Sequence, residues 1–175
     1  MDGVYSADPK LVKAAFVIEN LSYQEALELA YFGSKVLHPM TIAPAAAKKI
    51  PITIKNSFRP SAPGTFISNA AKPSNYLIKG ISCLTDIALV NIEGTGILSV
   101  SGMTARVCDQ LNRHNIRVIF IAQASSEHSL CLAIPKPLAA RTLELLTDYL
   151  SPERTRQHIA NISVDEEAAL LAVVG

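Results

Sequence analysis

The stretch from residue 87 to 164 alternates two apolar periods, and that alternation admits very few folds. IALVNI (residues 87–92) reads as a strand and is closed by EGTG (residues 93–96). Met103, Val107 and Leu111 recur at helical spacing, with Ser101 as the candidate N-cap and Asn115 as the stop. IRVIFI (residues 116–121) is almost wholly apolar, as expected of a central strand. Leu130, Leu132 and Ile134 alternate with Ser129, Cys131 and Ala133, which predicts a half-buried strand. Pro137 suits the first turn of a second helix that turns Ala139, Leu143, Leu146 and Leu150 inward. Alternation returns over residues 158–164 through Ala160, Ile162 and Val164. Strand–helix–strand–strand–helix–strand is the ferredoxin-like split βαβ plan, in which helices cover one face of an antiparallel sheet.

Residues 1–72 follow a different rhythm, that of an α/β region. Gly3 and Asp8-Pro9 break the first ten residues. Ser22 and Glu25 have the spacing of a capping box, so a helix is expected from Ser22, with Ala26, Leu29, Ala30 and Gly33 on one face. Pro39 stops that helix near residues 35–38, a second short helix covers 41–49, and residues 51–55 alternate like a strand. Pro60, Pro63, Gly64 and Pro73 fall within residues 56–75, which predicts a boundary near 70–76. A last apolar strand is expected over residues 168–174.

Composition removes several functional classes. A formal net charge of +1 advertises no basic face, so no nucleic-acid partner is expected. No apolar run reaches the roughly 18 residues needed to cross a bilayer, and MDGVYSADPK has no signal-peptide pattern, so neither a membrane partner nor export is expected. Cys83, Cys108 and Cys131 are widely spaced, which fits reduced buried thiols in a cytoplasmic protein rather than a disulfide framework or a metal site.

Three stretches resemble the aspartate kinases: DGVYSADPKLV (residues 2–12), LSYQEALELAYFGSKVLHPMTIAPA (residues 21–45) and IKNSFRPSAPGTFI (residues 54–67). A fourth, ALVNIEGTGILSVSGMTARVCDQLNRHNIRVIFIAQASSEHSLCLAIP (residues 88–135), resembles that family's first ACT regulatory module. Within it, IAQASSEHS is most similar to the bifunctional aspartokinase–homoserine dehydrogenases, which threonine typically inhibits. The resemblance implies an α/β (α+β) chain: the C-terminal part of an amino-acid-kinase nucleotide-binding domain over residues 1–72, then a connecting segment and strand over 73–86. A ferredoxin-like βαββαβ ACT domain follows over 87–164, and the start of a second ACT domain over 165–175. The activity it implies for the whole enzyme is transfer of the ATP γ-phosphoryl group to the β-carboxylate of aspartate with Mg2+. The family's N-terminal lysine and glycine-pair motif does not occur here, so the chain alone is expected to be inactive as a kinase.

Site residues follow from the same resemblance. Tyr5, Lys10, Lys35 and Val36 match positions that approach the nucleotide, and Lys10 stands where an arginine is more usual. For the effector pocket the resemblance places a contacting glutamine at Gln123; Ser101 and Gly102 join it as the turn before a helix N-terminus, and Ala124, Ser125, Ser126 and Glu127 as the adjoining polar loop that completes the pocket or meets a partner subunit. Chemistry supports the second group, since helix N-termini hold carboxylates and a glutamine both donates and accepts hydrogen bonds. Asp8, Glu25 and His38 read as a turn residue, a helix cap and a structural helix-end residue rather than catalytic groups. The effector is expected to be threonine, with lysine as the alternative, and ACT modules are expected to pair into a homodimer. A non-catalytic regulatory subunit and a ligand-free dimerisation module are the other readings.

Overall fold

A computed structural model describes residues 1–33, 36–69, 77–95, 102–124 and 129–175. Its elements in chain order are β1 (Asn20–Ser22), α1 (Tyr23–Tyr31), α2 (Pro39–Ala47), β2 (Ile52–Ile54), β3 (Thr65–Ser68), β4 (Gly80–Leu84), β5 (Ile87–Glu93), α3 (Met103–Arg113), β6 (Phe120–Ala124), β7 (Ser129–Pro135), α4 (Ala139–Tyr149), α5 (Ser151–Thr155), β8 (Asn161–Asp165) and β9 (Leu170–Val174). They form two compact units, Met1–Leu84 with Leu170–Gly175, and Thr85–Ala169.

The first unit is organised by its helix starts and one buried hydroxyl. The expected capping box is present: the Glu25 N–H donates to Ser22 Oγ at 3.1 Å and the Ser22 N–H to Glu25 Oε2 at 2.7 Å. Lys79 Nζ lies 2.7 Å from Glu25 Oε1, with both side chains largely covered. Burial pushes the Glu25 pKa up, but the bonds from Lys79 and Ser22 outweigh it and hold the carboxyl below its ordinary value. α2 starts at Pro39 with His38 as its N-cap, the Nδ1 accepting the Met40 N–H at 3.2 Å, so this histidine opens the second helix and does not end the first, which stops at Tyr31. β3 sits between β1, parallel to it, and β2, antiparallel to it. Thr65, fully buried at the start of β3, accepts the Val4 N–H at 2.8 Å and donates to the Ile18 carbonyl at 2.7 Å. A Cβ on Gly3 would lie 2.6 Å from that hydroxyl, so only glycine lets the N-terminal segment approach.

Two strands far apart in the sequence pair with each other. β4 pairs antiparallel with β9, from Gly80 opposite Val174 to Leu84 opposite Leu170. Val174 is buried in the cluster built on Leu21, Leu29, Ile42 and Ile67. Residues 80–84 and 170–174 therefore belong with the first unit, because backbone pairing and apolar burial both tie them there. The boundary expected at 70–76 falls outside the described residues.

The second unit has the expected plan. Its sheet has the order β6-β7-β5-β8, with every neighbouring pair antiparallel. Ala88, Val90 and Ile92 of β5 and Leu130, Leu132 and Ile134 of β7 form one apolar face. Met103, Val107 and Leu111 of α3, with Ala139 and Leu146 of α4, are buried against that face in one core.

Three expectations are corrected. IRVIFI is not a strand throughout, since β6 begins only at Phe120. Asn115 ends α3 in the left-handed region, at φ 57°. Its N–H bonds the Asn112 carbonyl at 3.0 Å, and the Ile116 N–H bonds the Leu111 carbonyl at 2.9 Å. That is a Schellman motif, so Ile116 is apolar because it closes the helix end against Leu111. The N-cap of α3 is Gly102, without a side-chain cap, and not Ser101. Leu143 is only half-buried; the buried position is Thr142, whose hydroxyl donates to the Leu138 carbonyl at 2.7 Å.

Two outcomes test this description. Gly64 has φ +74°, and a Cβ there would collide with the Ile54 carbonyl oxygen. Gly64→Ala should destabilise the first unit by more than about 1 kcal/mol, read as a lower Tm; a parental Tm would contradict the strained turn. The Glu25 contribution should be present above its ordinary pKa of 4.5 and lost as pH falls through its lower folded value. Urea midpoints from neutral to acidic pH should therefore fall less steeply in Glu25→Gln than in the parent, and parallel curves would contradict it.

Candidate functional site

The effector group expected from sequence is partly assembled in the second unit. Gly102 adopts φ 77° and ψ 15° at the entry to α3, a conformation that suits glycine, and its carbonyl accepts the Arg106 N–H at 2.9 Å. The first N–H groups of any helix lack intrahelical partners, and they point with the positive end of the helix dipole. Gly102 adds no side chain to cover them.

Sheet register brings Gln123 to the same place. It lies opposite Leu130 in the β6–β7 ladder, and Leu130 belongs to the helix-covered face. The hydroxyl of Thr104, the second residue of α3, donates to Gln123 Oε1 at 3.3 Å. Gln123 is exposed, and while its oxygen accepts from Thr104 its amide nitrogen can donate. An unshielded helix start beside an amide donor suits a ligand carrying a carboxylate and a second acceptor. Sequence reasoning missed Thr104; its one signal was a hydroxyl residue immediately inside the helix that follows the Gly102 turn. Ala124 ends β6. Ser101, Ser125, Ser126 and Glu127 lie outside the described residues.

The nucleotide group is less gathered. Tyr5 forms an isolated bridge with Val17, and its hydroxyl reaches Asp2 Oδ2 at 3.5 Å. Asp2 also accepts from Asn56 Nδ2 at 2.7 Å and pairs with Arg59. The Asn56 bond, with help from Arg59, holds the Asp2 carboxyl below its ordinary value despite some burial. Asp2 thus joins the DGVYSADPK and NSFRP segments, a role not seen from sequence. Lys10 is exposed in the Asp8 turn, its N–H bonding Asp8 Oδ1 at 2.9 Å. Val36 packs against the first unit's apolar cluster, and Lys35 lies outside the described residues. No hydrogen bond or ion pair among the described residues joins Tyr5, Lys10 and Val36 to one another.

Other chemistry is sparse. Among the described residues, no group of three His, Cys, Asp or Glu side chains could hold a metal ion. No described helix is long and apolar enough to cross a membrane. Burial raises the pKa of the Cys108 and Cys131 thiols, which disfavours the reactive thiolate.

Residues 1–56 match the amino acid kinase family and residues 90–150 the ACT domain. All of the chain aligns, at 41% identity over 180 residues, with 20% of the chloroplastic bifunctional aspartokinase/homoserine dehydrogenase 2 of Arabidopsis thaliana. The chain therefore spans about a fifth of the length of this curated relative. The crystal structure of Clostridium acetobutylicum aspartate kinase is similar over 100% of this chain and 40% of its own, with a TM-score of 0.84 and 28% identity. Escherichia coli aspartokinase III in complex with lysine and aspartate is similar over 99% of this chain and 37% of its own, with a TM-score of 0.73 and 34% identity.

Proposed function

The chain belongs to the aspartokinase family, and on that premise we propose that it is the amino-acid-sensing stretch of an enzyme that phosphorylates L-aspartate with ATP to 4-phospho-L-aspartate. The observation that carries the proposal is the meeting of Gln123 with Thr104 at the Gly102 entry to α3. A free amino acid offers a carboxylate for the helix start and a polar side chain for the Gln123 amide. Threonine fits this best, since its hydroxyl can accept from the amide nitrogen while its carboxylate takes the helix N–H groups. Ser101, Ala124, Ser125, Ser126 and Glu127 complete the pocket in this reading.

Lysine is the second reading, favoured by the lysine complex of the E. coli relative. The similarity to bifunctional enzymes favours threonine and a homoserine dehydrogenase elsewhere in the whole protein. Tyr5, Lys10, Lys35 and Val36 supply part of an ATP site in the whole enzyme. Lysines near the phosphates would offset their charge, though without the bidentate fork of an arginine. Mg2+ in such sites is held by one or two carboxylates together with the substrate phosphates, and among the described residues no group of three His, Cys, Asp or Glu side chains gathers to hold it alone. Pairing of two copies through second-unit sheets is supported by β6, an edge strand with half-exposed Phe120 and Ile121. Such an effector inhibits only by binding unequally to two packings of the pair. Three free thiols suit a reducing compartment, the cytoplasm or, as in the Arabidopsis relative, the chloroplast.

Calorimetry with threonine, lysine, methionine and isoleucine tests the proposal. Threonine should bind, and Gln123→Ala should weaken it by about tenfold, the loss of roughly one good hydrogen bond. Lysine binding without threonine binding would select the second reading. Heat from none of the four would contradict sensing by this chain and leave a dimerisation role.

A further inference from the structure

We infer that Arg106 and Glu153 are positioning residues for the effector site: their ion pair fixes the first turn of α3 against Gln123, so effector affinity depends on side chains that do not touch the effector. The inference rests on the reading of that site given above.

Glu153 is anchored first. It lies in α5 and is only 5% exposed. Its carbonyl accepts the His158 N–H at 2.9 Å and the Ile159 N–H at 3.4 Å, and Ile159 belongs to the core. Its carboxylate meets Arg106 Nη2 at 2.7 Å through Oε1. The other oxygen, Oε2, is buried without a hydrogen-bond partner among the described residues. Burial pushes its pKa up, but Arg106 and the Glu153 backbone N–H outweigh that and hold it below the ordinary value. Glu153 is therefore a buried anion whose direct ion pair among the described residues is with Arg106, the charge of Arg156 acting on it from further away.

Arg106 carries that fixity to the site. It lies one turn into α3, and its own N–H donates to the Gly102 carbonyl at 2.9 Å. Its Nε donates to the Tyr149 hydroxyl at 3.4 Å, and its guanidinium carbon sits 5.5 Å from the Tyr149 ring centroid. The guanidinium is thus held by two elements, α4 and α5, besides its own helix. The rest of α3 faces the sheet through Met103, Val107 and Leu111, and apolar contact has little directional preference. Such a face resists separation better than it resists a small slide or rotation. The bond between Thr104 and Gln123, at 3.3 Å, is near the long limit for a hydrogen bond. A displacement of about 0.5 Å breaks it, and the Arg106–Glu153 pair, with the weaker Arg106–Tyr149 bond beside it, is the directional contact that opposes one.

The test uses the full chain with Arg106→Met, which keeps the apolar stem, Glu153→Gln, which is nearly isosteric, and Arg106→Lys, which keeps the charge. Threonine and lysine affinities are read by calorimetry well below each variant's Tm. Arg106→Met and Glu153→Gln should bind the effector about tenfold more weakly, and Arg106→Lys should recover most of the loss. Amide exchange at residues 106 and 107 should quicken in the first two variants relative to residues 110 and 111 at the other end of α3. Parental affinity despite a lowered Tm, or exchange that quickens evenly along α3, would overturn the inference. If the parent chain binds neither amino acid, the reading of the site fails on its own, and the exchange pattern alone decides whether the pair fixes the turn. If Arg106→Met does not fold, Glu153→Gln decides in the same way.

Discussion

β5 is the strand on which the second unit depends. It pairs with β7 on one side and β8 on the other, both antiparallel. A slip of one residue in either pairing would turn Ala88, Val90 and Ile92 away from the helices and bring Leu89 and Asn91 in. That cost fixes β7, and β7 in turn fixes β6 through five pairs from Phe120–Ala133 to Ala124–Ser129. Gln123 is thereby placed beside Thr104 by a chain of register, not by a local turn. The candidate site is thus a consequence of core packing two strands away.

The same separation explains what the sequence made legible. Local chemistry was readable: the Ser22–Glu25 capping box, the Asn115 stop and the alternation of β7 all occur where residue types demand them. The split βαβ order was also readable, because each element carries its own period. Ile116 misled because an apolar residue closing a Schellman turn looks like the first residue of a strand. Pairing between distant segments left no local trace, so β4 with β9 was not anticipated, nor were Asp2 with Asn56 and Thr104 with Gln123.

The two units divide the proposed work by the kind of interaction they use. In the first, a buried contact at Thr65 and partly buried ones at Glu25 and Asp2 pin short strands and turns that a small apolar core would hold loosely. Those at Asp2 and Thr65 hold the DGVYSADPK segment against the NSFRP segment and the start of β3. In the second, a larger apolar core carries stability, and few polar contacts decide where α3 begins. A sensor benefits from that economy, because a ligand that adds contacts beside one long hydrogen bond at a helix start can bias packing without opposing the core.

The most direct test of the sensing claim is hydrogen exchange of the chain with and without saturating threonine, followed peptide by peptide, with lysine as the comparison. The account predicts slowed exchange at the start of α3 and along β6, with the β4–β9 pair unchanged. Protection confined to the first unit, or none anywhere with either amino acid, would contradict it.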